Sequence, residues 1–186
     1  HLPQMPDEDQ KRYLYVAIDR ATRWVYLEVR SSQSAKDAQA FMKRVEEEAP
    51  FTIRTVLTDN GKSFTDRFSV GGGRKPSGNH LFDQECQNHG IEHRLIRPGR
   101  PQTNGMVERF NGRISDVLAT RREDLEQTLE RYCWLYNHHI PQKALHHKAP
   151  IAAMKGWQVE RPELFTQAIV NQTEPDMCMV PDDQLA

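Results

Sequence analysis

Short apolar runs, each ending in a polar break, precede and follow an amphipathic stretch in the first third of this chain, and that order constrains the fold most strongly. Residues 14–18 (LYVAI) and 24–29 (WVYLEV) flank a short turn, which predicts a β-hairpin. Ser34 is a helix N-cap residue, and the following helix is expected to run to about Glu48. Residues 53–57 then predict a third strand. Two strands, a helix and a strand indicate an α/β fold.

The second half of the sequence is mainly helical by the same criteria. Residues 81–89 predict a short helix with Gly90 as its C-cap, and residues 91–96 predict another strand. Longer helices are expected from about Thr103 and over residues 124–138, with a last short helix at 149–157. The apolar stripes of the three longer helices predict the core, as follows: Ala38, Phe41, Met42 and Val45; Val107, Phe110, Ile114, Val117 and Leu118; and Leu125, Leu129, Tyr132, Cys133 and Tyr136.

The length and composition indicate one domain with an appendage. A domain is expected over residues 1–157, and the acidic, proline-containing residues 158–186 are expected to form a tail or a docking extension. Because 25 basic residues balance 26 acidic ones, any contact with nucleic acid must come from local patches. The three cysteines form no CxxC pair, and no apolar run approaches the roughly 20 residues that a bilayer requires. We therefore expect a cytoplasmic protein that does not cross a membrane.

Two carboxylates occupy positions that suit divalent-metal ligands. Asp59 follows a predicted strand, within Thr58-Asp59-Asn60-Gly61, at the edge where open sheets place their functional groups. Glu108 lies on a predicted helix, beside the buried stripe of that helix, and 48 residues separate it from Asp59. Hard oxygen ligands of this kind bind Mg²⁺ and point to phosphodiester chemistry. Taken alone, an aspartate before Asn-Gly is also an ordinary turn former.

Five segments in order resemble the catalytic core of the DDE transposases and retroviral-type integrases, particularly the bacterial insertion-sequence branch. The resemblance covers residues 13–157. Its segments are residues 14–23 (LYVAIDRATR), 57–61 (LTDNG), 90–93 (GIEH), 101–111 (PQTNGMVERFN) and 134–137 (WLYN).

The resemblance implies a ribonuclease H-like fold, with helices on both faces of a mixed sheet of about five strands. In this family three carboxylates hold two divalent ions, and Asp59 and Glu108 match the second and third. The first belongs to a strand that is expected before residue 1, so the first strand of the sheet should be truncated here. Asp19 lies on the family's second strand and is expected to cap the hairpin. The chain is accordingly expected to lack one catalytic aspartate and to be inactive alone.

The implied activity is metal-dependent cleavage and strand transfer of DNA, with Mg²⁺ or Mn²⁺ as the two ions. The implied partners are transposon ends, a target duplex and further copies of the chain in a homodimer or larger multimer, in a bacterial cytoplasm near the nucleoid. The candidate groups for positioning DNA or contacting its phosphates are Asn60, Asn104, Arg94, Arg97, Arg100, Arg109 and Arg113. Two alternatives remain: a ribonuclease H-like nuclease without joining activity, and a DNA-binding or assembly module with a decayed site.

Other features favour structural roles. The pairs His138-His139 and His146-His147, near Cys133, lack the spacing of a structural zinc site. Trp134 and Tyr136 are expected in the core, because they fall near the apolar stripe of their helix. The glycine-rich residues 69–80 predict a loop without a phosphate-binding motif, and the short connection at 119–124 suggests that residues are absent there.

Overall fold

The computed structural model describes residues 11–68, 75–97, 105–119 and 124–170. Its strands and helices confirm the predicted order of elements. In chain order they are β1 (Tyr13–Ile18), β2 (Val25–Arg30), α1 (Ala35–Glu48), β3 (Thr55–Thr58), α2 (Leu81–Asn88), β4 (Glu92–Leu95), α3 (Gly105–Ala119), α4 (Leu125–His138) and α5 (Pro150–Glu160), with 3₁₀ turns at Lys143–Leu145 and Pro162–Leu164.

The four strands form two separate two-stranded sheets within the described residues, where the sequence predicted one sheet of about five strands. β1 pairs antiparallel with β2, so that Ile18 lies opposite Val25. β3 pairs in parallel with β4, so that Thr58 lies opposite Leu95. Pairing in β3 begins at Thr55, two residues later than the start that the apolar run predicted. Hydrophobicity reports burial rather than pairing, and this explains the shift.

β1 is covered on both faces, because its alternate side chains enter two different hydrophobic cores. The first core lies against α1 and α2, and its buried members are Tyr15, Ala38, Phe41, Met42, Val45, Phe82, Cys86 and Ile91. The second core lies against α3 and α4, and its buried members are Val25, Phe110, Ile114, Leu118, Leu125, Leu129, Tyr132 and Tyr136. Helices thus lie on both faces of the hairpin, whereas the prediction placed them on both faces of a single five-stranded sheet.

The helix ends follow from local chemistry. The Ser34 hydroxyl accepts a hydrogen bond from the Asp37 amide, while the Asp37 carboxylate accepts one from the Ser34 amide, which makes a capping box. Asp124 caps α4 by accepting the Glu126 amide at 3.0 Å. His89 is the cap residue of α2, and Gly90 follows it with a φ of 67°, a conformation that glycine adopts without steric cost. The cap that the sequence assigned to Gly90 thus lies one residue earlier.

Asp19 closes the hairpin turn, as predicted. Its Oδ2 accepts hydrogen bonds from both the amide and the hydroxyl of Thr22, each at 2.7 Å. The Asp19 amide donates to the Trp24 carbonyl at 2.9 Å. Thr22 is buried, so these bonds replace contacts with water and fix the turn between β1 and β2.

The residues after α5 pack back on the loop that follows α1. The Thr52 amide donates to the Leu164 carbonyl at 2.9 Å, and the Thr166 amide donates to the Pro50 carbonyl at 3.0 Å. The rings of Phe51 and Phe165 meet edge to face at 6.5 Å. The boundary at residue 158 stays a prediction, and residues 171–186 lie outside the described part. No helix in the described ranges is long and apolar enough to cross a bilayer.

Candidate active site

Asp59 stands just beyond the carboxyl end of β3, in a tight turn that fixes one of its oxygens. Its Oδ1 accepts the Gly61 amide at 2.8 Å, an Asx-type turn. A Cβ atom placed on Gly61 would lie 2.8 Å from this same oxygen, so a side chain at this position would force the Asp59 carboxylate to move. Asp59 is partly exposed. The sequence Thr-Asp-Asn-Gly therefore places a partly exposed carboxylate on a hydrogen-bonded turn.

Asn60 ties this turn to β4 and to the next loop. Its Nδ2 donates to the Ile96 carbonyl at 3.0 Å, and its Oδ1 accepts a hydrogen bond from the Arg67 guanidinium at 3.0 Å. The sequence suggested Asn60 as a group that positions DNA. In the structure its amide is engaged within the protein, and a contact with DNA stays a prediction.

Thr58, directly before Asp59, heads a chain of buried polar groups that sequence reasoning missed. Its hydroxyl oxygen lies 2.8 Å from Nε2 of His93, and Nδ1 of that ring lies 2.5 Å from Oδ1 of Asp83. The side chains of His93 and Asp83 are only 5% and 12% exposed. Phe82 packs edge to face on the imidazole with ring centroids 4.8 Å apart. The only sequence signal is that the aspartate lies in a predicted helix and the histidine in a predicted strand, and a polar group that such elements bury requires a partner.

Glu108 lies in the first turn of α3, and its surroundings differ from those of Asp59. It is exposed, and within the described ranges its carboxylate has neither a hydrogen bond nor an ion pair. α3 is anchored by Phe110 and Ile114 in the second core, and Met106 contacts the Arg23 guanidinium of the hairpin turn. The predicted position of Glu108 beside the buried stripe is confirmed.

The structure leaves the meeting of Asp59 and Glu108 as a prediction. In the described part of the chain, no group of three or more His, Cys, Asp or Glu side chains is arranged to hold a metal ion. These two carboxylates would therefore need a further oxygen ligand from elsewhere to complete a metal site. Both supply the hard oxygen atoms that Mg²⁺ and Mn²⁺ prefer, and both are accessible, so their chemistry fits such an ion.

Four of the five candidate arginines fall within the described ranges, and all four are exposed. Arg94 on β4 pairs with Glu92 at 2.7 Å, and this bond lowers the pKa of the Glu92 carboxyl. Arg109 donates from Nε to the Gly105 carbonyl at 2.9 Å. Arg113 lies 3.4 Å from the side-chain oxygen of Gln142. Contacts between these arginines and DNA stay predictions, and Arg100 and Asn104 lie outside the described residues.

The remaining sequence hypotheses concern α4. Tyr136 is buried as predicted, whereas Trp134 is only partly buried and stacks on His138, with ring centroids 5.3 Å apart. The prediction of a core position holds for Tyr136 and fails in part for Trp134. Its periodicity was ambiguous because Trp134 lies at the margin of the apolar stripe. The histidine pair His138 and His139 packs against this indole rather than around Cys133.

A groove of about 640 Å³ lies between β2, α4 and the C-terminal segment, and neither Asp59 nor Glu108 lines it. Its walls include Trp24, Leu27 and Ile169. An open surface site suits a polymeric substrate better than an enclosed pocket does.

Comparison with a solved structure places the fold. The chain aligns with the crystal structure of the catalytic core domain of BIV integrase at a TM-score of 0.60 and 20% identity, covering 79% of this chain and 88% of that one. At this level of identity the likeness concerns the fold alone. The described α/β arrangement is that of an integrase catalytic core.

Sequence comparison gives the family. Residues 4–101 match the integrase core domain family, residues 89–150 match a second integrase core domain description, and the chain belongs to this family. Its members are generally polynucleotidyl transferases.

Two curated relatives illustrate the range of the family. A retrovirus-related Pol polyprotein from transposon TNT 1-94 of Nicotiana tabacum is 33% identical over 111 residues, which are 59% of this chain and 7% of that protein. The insertion element IS476 39.2 kDa protein of Xanthomonas euvesicatoria is 43% identical over 63 residues, which are 34% of this chain and 14% of that protein. The chain spans a small part of both relatives.

Proposed function

We propose that this chain is the catalytic core of a DNA transposase or integrase that cleaves and joins DNA strands with the help of divalent metal ions. The observation that carries the proposal is the setting of Asp59 in a chain of the integrase core family. This carboxylate projects from the end of a strand, on a turn fixed by Gly61, Asn60 and Thr58. Such preorganisation is what a metal-binding carboxylate requires.

Asp59 and Glu108 would hold Mg²⁺ or Mn²⁺ through their carboxylate oxygens. When bound, the ions would activate an attacking water or 3′-hydroxyl and offset negative charge at the phosphate. Asp59 would provide a fixed ligand, since its Oδ1 is already oriented by the Gly61 amide. Glu108 is exposed and unpaired among the described residues, so its side chain is free to turn toward an ion when DNA is present.

We further propose that the two small sheets belong to one mixed sheet, with one more strand between β1 and β3. Side chains from both halves meet in the first core, where Val56 of β3 and Tyr15 of β1 both pack. In the described residues, β1 pairs only with β2, and β3 pairs only with β4. A strand paired with β1 on one side and with β3 on the other would join the two sheets into one.

The DNA itself would be held by the arginines near the two carboxylates in sequence. Arg94 and Arg97 lie on and after β4, and Arg109 and Arg113 lie on α3. Arginine contacts to phosphate locate a duplex without reading its sequence. Arginines on both sides of the proposed site would then contact the same DNA backbone.

A strand-transfer assay with the full-length protein tests the proposal. A DNA with a free 3′-hydroxyl end is mixed with a target duplex and Mg²⁺ or Mn²⁺, and joined products are counted. Asp59→Asn and Glu108→Gln should each abolish joining, because each replaces a charged ligand by a neutral amide of the same size. Unchanged joining in either variant would contradict the proposal. Cleavage without joining would instead identify a nuclease.

A further inference from the structure

We propose that His93 and Asp83 are positioning residues for the Asp59 carboxylate and act on it through Thr58. This inference rests on the proposed function, since it assigns Asp59 as a ligand. His93 and Asp83 do not touch the substrate or an ion in this scheme. Their task is to fix the backbone from which Asp59 projects.

Three polar contacts connect a helix to the end of a strand. Asp83 on α2 lies 2.5 Å from Nδ1 of His93, so its carboxylate accepts the Nδ1 hydrogen and sets the ring orientation. Nε2 then meets the Thr58 hydroxyl at 2.8 Å. When Nε2 donates to the hydroxyl oxygen, the single hydroxyl hydrogen of Thr58 is left to be donated to the carbonyl oxygen of Asp59 at 3.0 Å. A side chain on α2 is thereby linked to the main chain of the proposed ligand.

The strand register explains why the histidine reaches this position. In the parallel pair of β3 and β4, His93 lies opposite Val56 and Leu95 lies opposite Thr58. The imidazole extends along the pair toward the carboxyl end of β3, where Phe82 packs against it edge to face. A shorter side chain at position 93 would not span the gap between Asp83 and Thr58.

Burial argues for a role beyond general stabilisation. Oδ2 of Asp83 is buried and has no hydrogen-bond partner in the described part of the chain. A buried polar atom without a partner is costly, and replacing a buried charged pair by apolar groups is often neutral or stabilising. The His93 and Asp83 pair is therefore a poor device for stability alone. Its geometry instead suits the task of holding the Thr58 hydroxyl in place.

Both neighbours of Asp59 are hydrogen-bonded to other parts of the protein. Thr58 is held by His93, Asn60 is held by Ile96 and Arg67, and the Asp59 carboxylate itself is held by the Gly61 amide. Each residue of the turn thus has its own anchor. Removing the anchor at Thr58 should loosen Asp59 while leaving the rest of the turn bonded.

The test measures Mn²⁺ affinity of the full-length protein by calorimetry, together with hydrogen exchange at the Gly61 amide in the metal-free protein. Thr58→Val removes the hydroxyl and keeps the shape, and His93→Gln shortens the link. Both should weaken Mn²⁺ binding about tenfold and speed Gly61 exchange. Thr58→Ser retains the hydroxyl and should stay within about twofold of the wild type. The two changes combined should cost little more than one alone, because both break the same link.

Asn137→Ala is the matched control. Asn137 is another buried polar side chain, and it bonds to the amide and carbonyl of Val25 at 2.9 and 2.8 Å. This variant should lower thermal stability without changing Mn²⁺ affinity or Gly61 exchange. Equal losses in the control and in Thr58→Val, or no change in Thr58→Val, would overturn the inference.

Asp59→Asn separates this inference from the proposed function. If the wild type and Asp59→Asn bind Mn²⁺ equally, Asp59 is not a ligand. Both the proposed function and the positioning role of His93 and Asp83 would then be contradicted. If only the wild type binds, the site exists, and the Thr58 and His93 variants decide the positioning role by themselves. Hydrogen exchange at the Gly61 amide tests the same positioning role in the metal-free protein.

Discussion

The surroundings of Asp59 and Glu108 differ in almost every physical respect. Asp59 lies on a turn whose residues are hydrogen-bonded to each other, to the residue after β4 and to His93 of β4, which in turn contacts α2. Glu108 lies on the outer face of α3, exposed and without a bond to the described residues. The contrast suggests a division of labour in which one ligand is fixed before DNA binds and the other adjusts.

The largest expected effect is loss of stability when either core is opened. Phe82→Ala in the first core and Phe110→Ala in the second should each reduce the free energy of unfolding by about 3 to 5 kcal/mol, since both side chains are 2% exposed. Urea denaturation measures both. The contrast predicts that only Phe82→Ala also speeds hydrogen exchange at Gly61 under native conditions, because Phe82 packs on His93. Equal exchange in both variants would remove the distinction between the two regions.

Adding one methyl group at a glycine should affect the two carboxylates differently. In Gly61→Ala the new Cβ would meet Oδ1 of Asp59 at 2.8 Å, so the carboxylate must turn away. Strand transfer by the full-length protein should fall about 100-fold, the effect expected of a misplacement near 1 Å.

Gly112→Ala is the matched control on α3. Nothing lies within 4 Å of its added Cβ, and alanine favours a helix, so stability should rise by about 0.5 to 1 kcal/mol. Strand transfer should stay within about twofold of the wild type, since Glu108 keeps its freedom. A large loss of joining at Gly112, or none at Gly61, would show that the two carboxylates do not differ in this way.

The arginines test whether both regions contact DNA. Arg94→Ala and Arg109→Ala should each reduce the salt dependence of DNA affinity by about one unit of slope, measured by fluorescence anisotropy over a range of salt concentrations. Arg161→Ala is a matched control, because Arg161 is exposed and pairs with Glu163 at 2.6 Å much as Arg94 pairs with Glu92. A slope that changes for only one of Arg94 and Arg109 would assign DNA contact to one region alone.

The smallest expected effect concerns two thiols, one in each region. Burial raises the pKa of both the Cys86 and the Cys133 thiol to about 12. Alkylation at pH 8 should therefore be slow for both, and slower for Cys86, which is fully buried while Cys133 is partly exposed. Mass spectrometry of a Cys178→Ser protein measures the two rates. Faster labelling of Cys86 would mean that the region around Asp59 opens more readily than α4.

The same thiols determine the direction in which the free energy of unfolding changes with pH. A pKa that is higher in the folded state than its ordinary value of 9.0 leaves stability unaffected below about pH 9. The free energy of unfolding should then fall as the pH rises from about 9 toward 12, because only the unfolded chain ionises easily. Cys86→Ala should flatten part of this decline in urea denaturation curves. An unchanged decline would assign it to other groups.

Most secondary structure could be predicted because its causes are local. The capping box at Ser34, the apolar stripe of α1 and the hairpin turn at Asp19 each depend on residues within a few positions of one another. The pairing between strands could not be predicted to the same degree. The start of β3 at Thr55 and its register with β4 depend on contacts between distant parts of the chain.

The site shows the same limit. The resemblance to integrases singled out Asp59 and Glu108, and it led to the family that the comparisons give. The two contacts that link Asp83 through His93 to Thr58 join residues that are 10 and 35 positions apart, on three different elements. No periodicity marks such a contact. Asn60 was recognised as important, but its bonds to Ile96 and Arg67 required the fold.

Asn137 has a consequence for how the molecule behaves in a crowded solution. Its amide group completes both backbone bonds of Val25, the first residue of β2. A side chain on α4 thus takes the place that a neighbouring strand from another molecule would otherwise fill. At this point the outer edge of the hairpin offers no template for edge-to-edge association, the usual beginning of aggregation in proteins with open sheets.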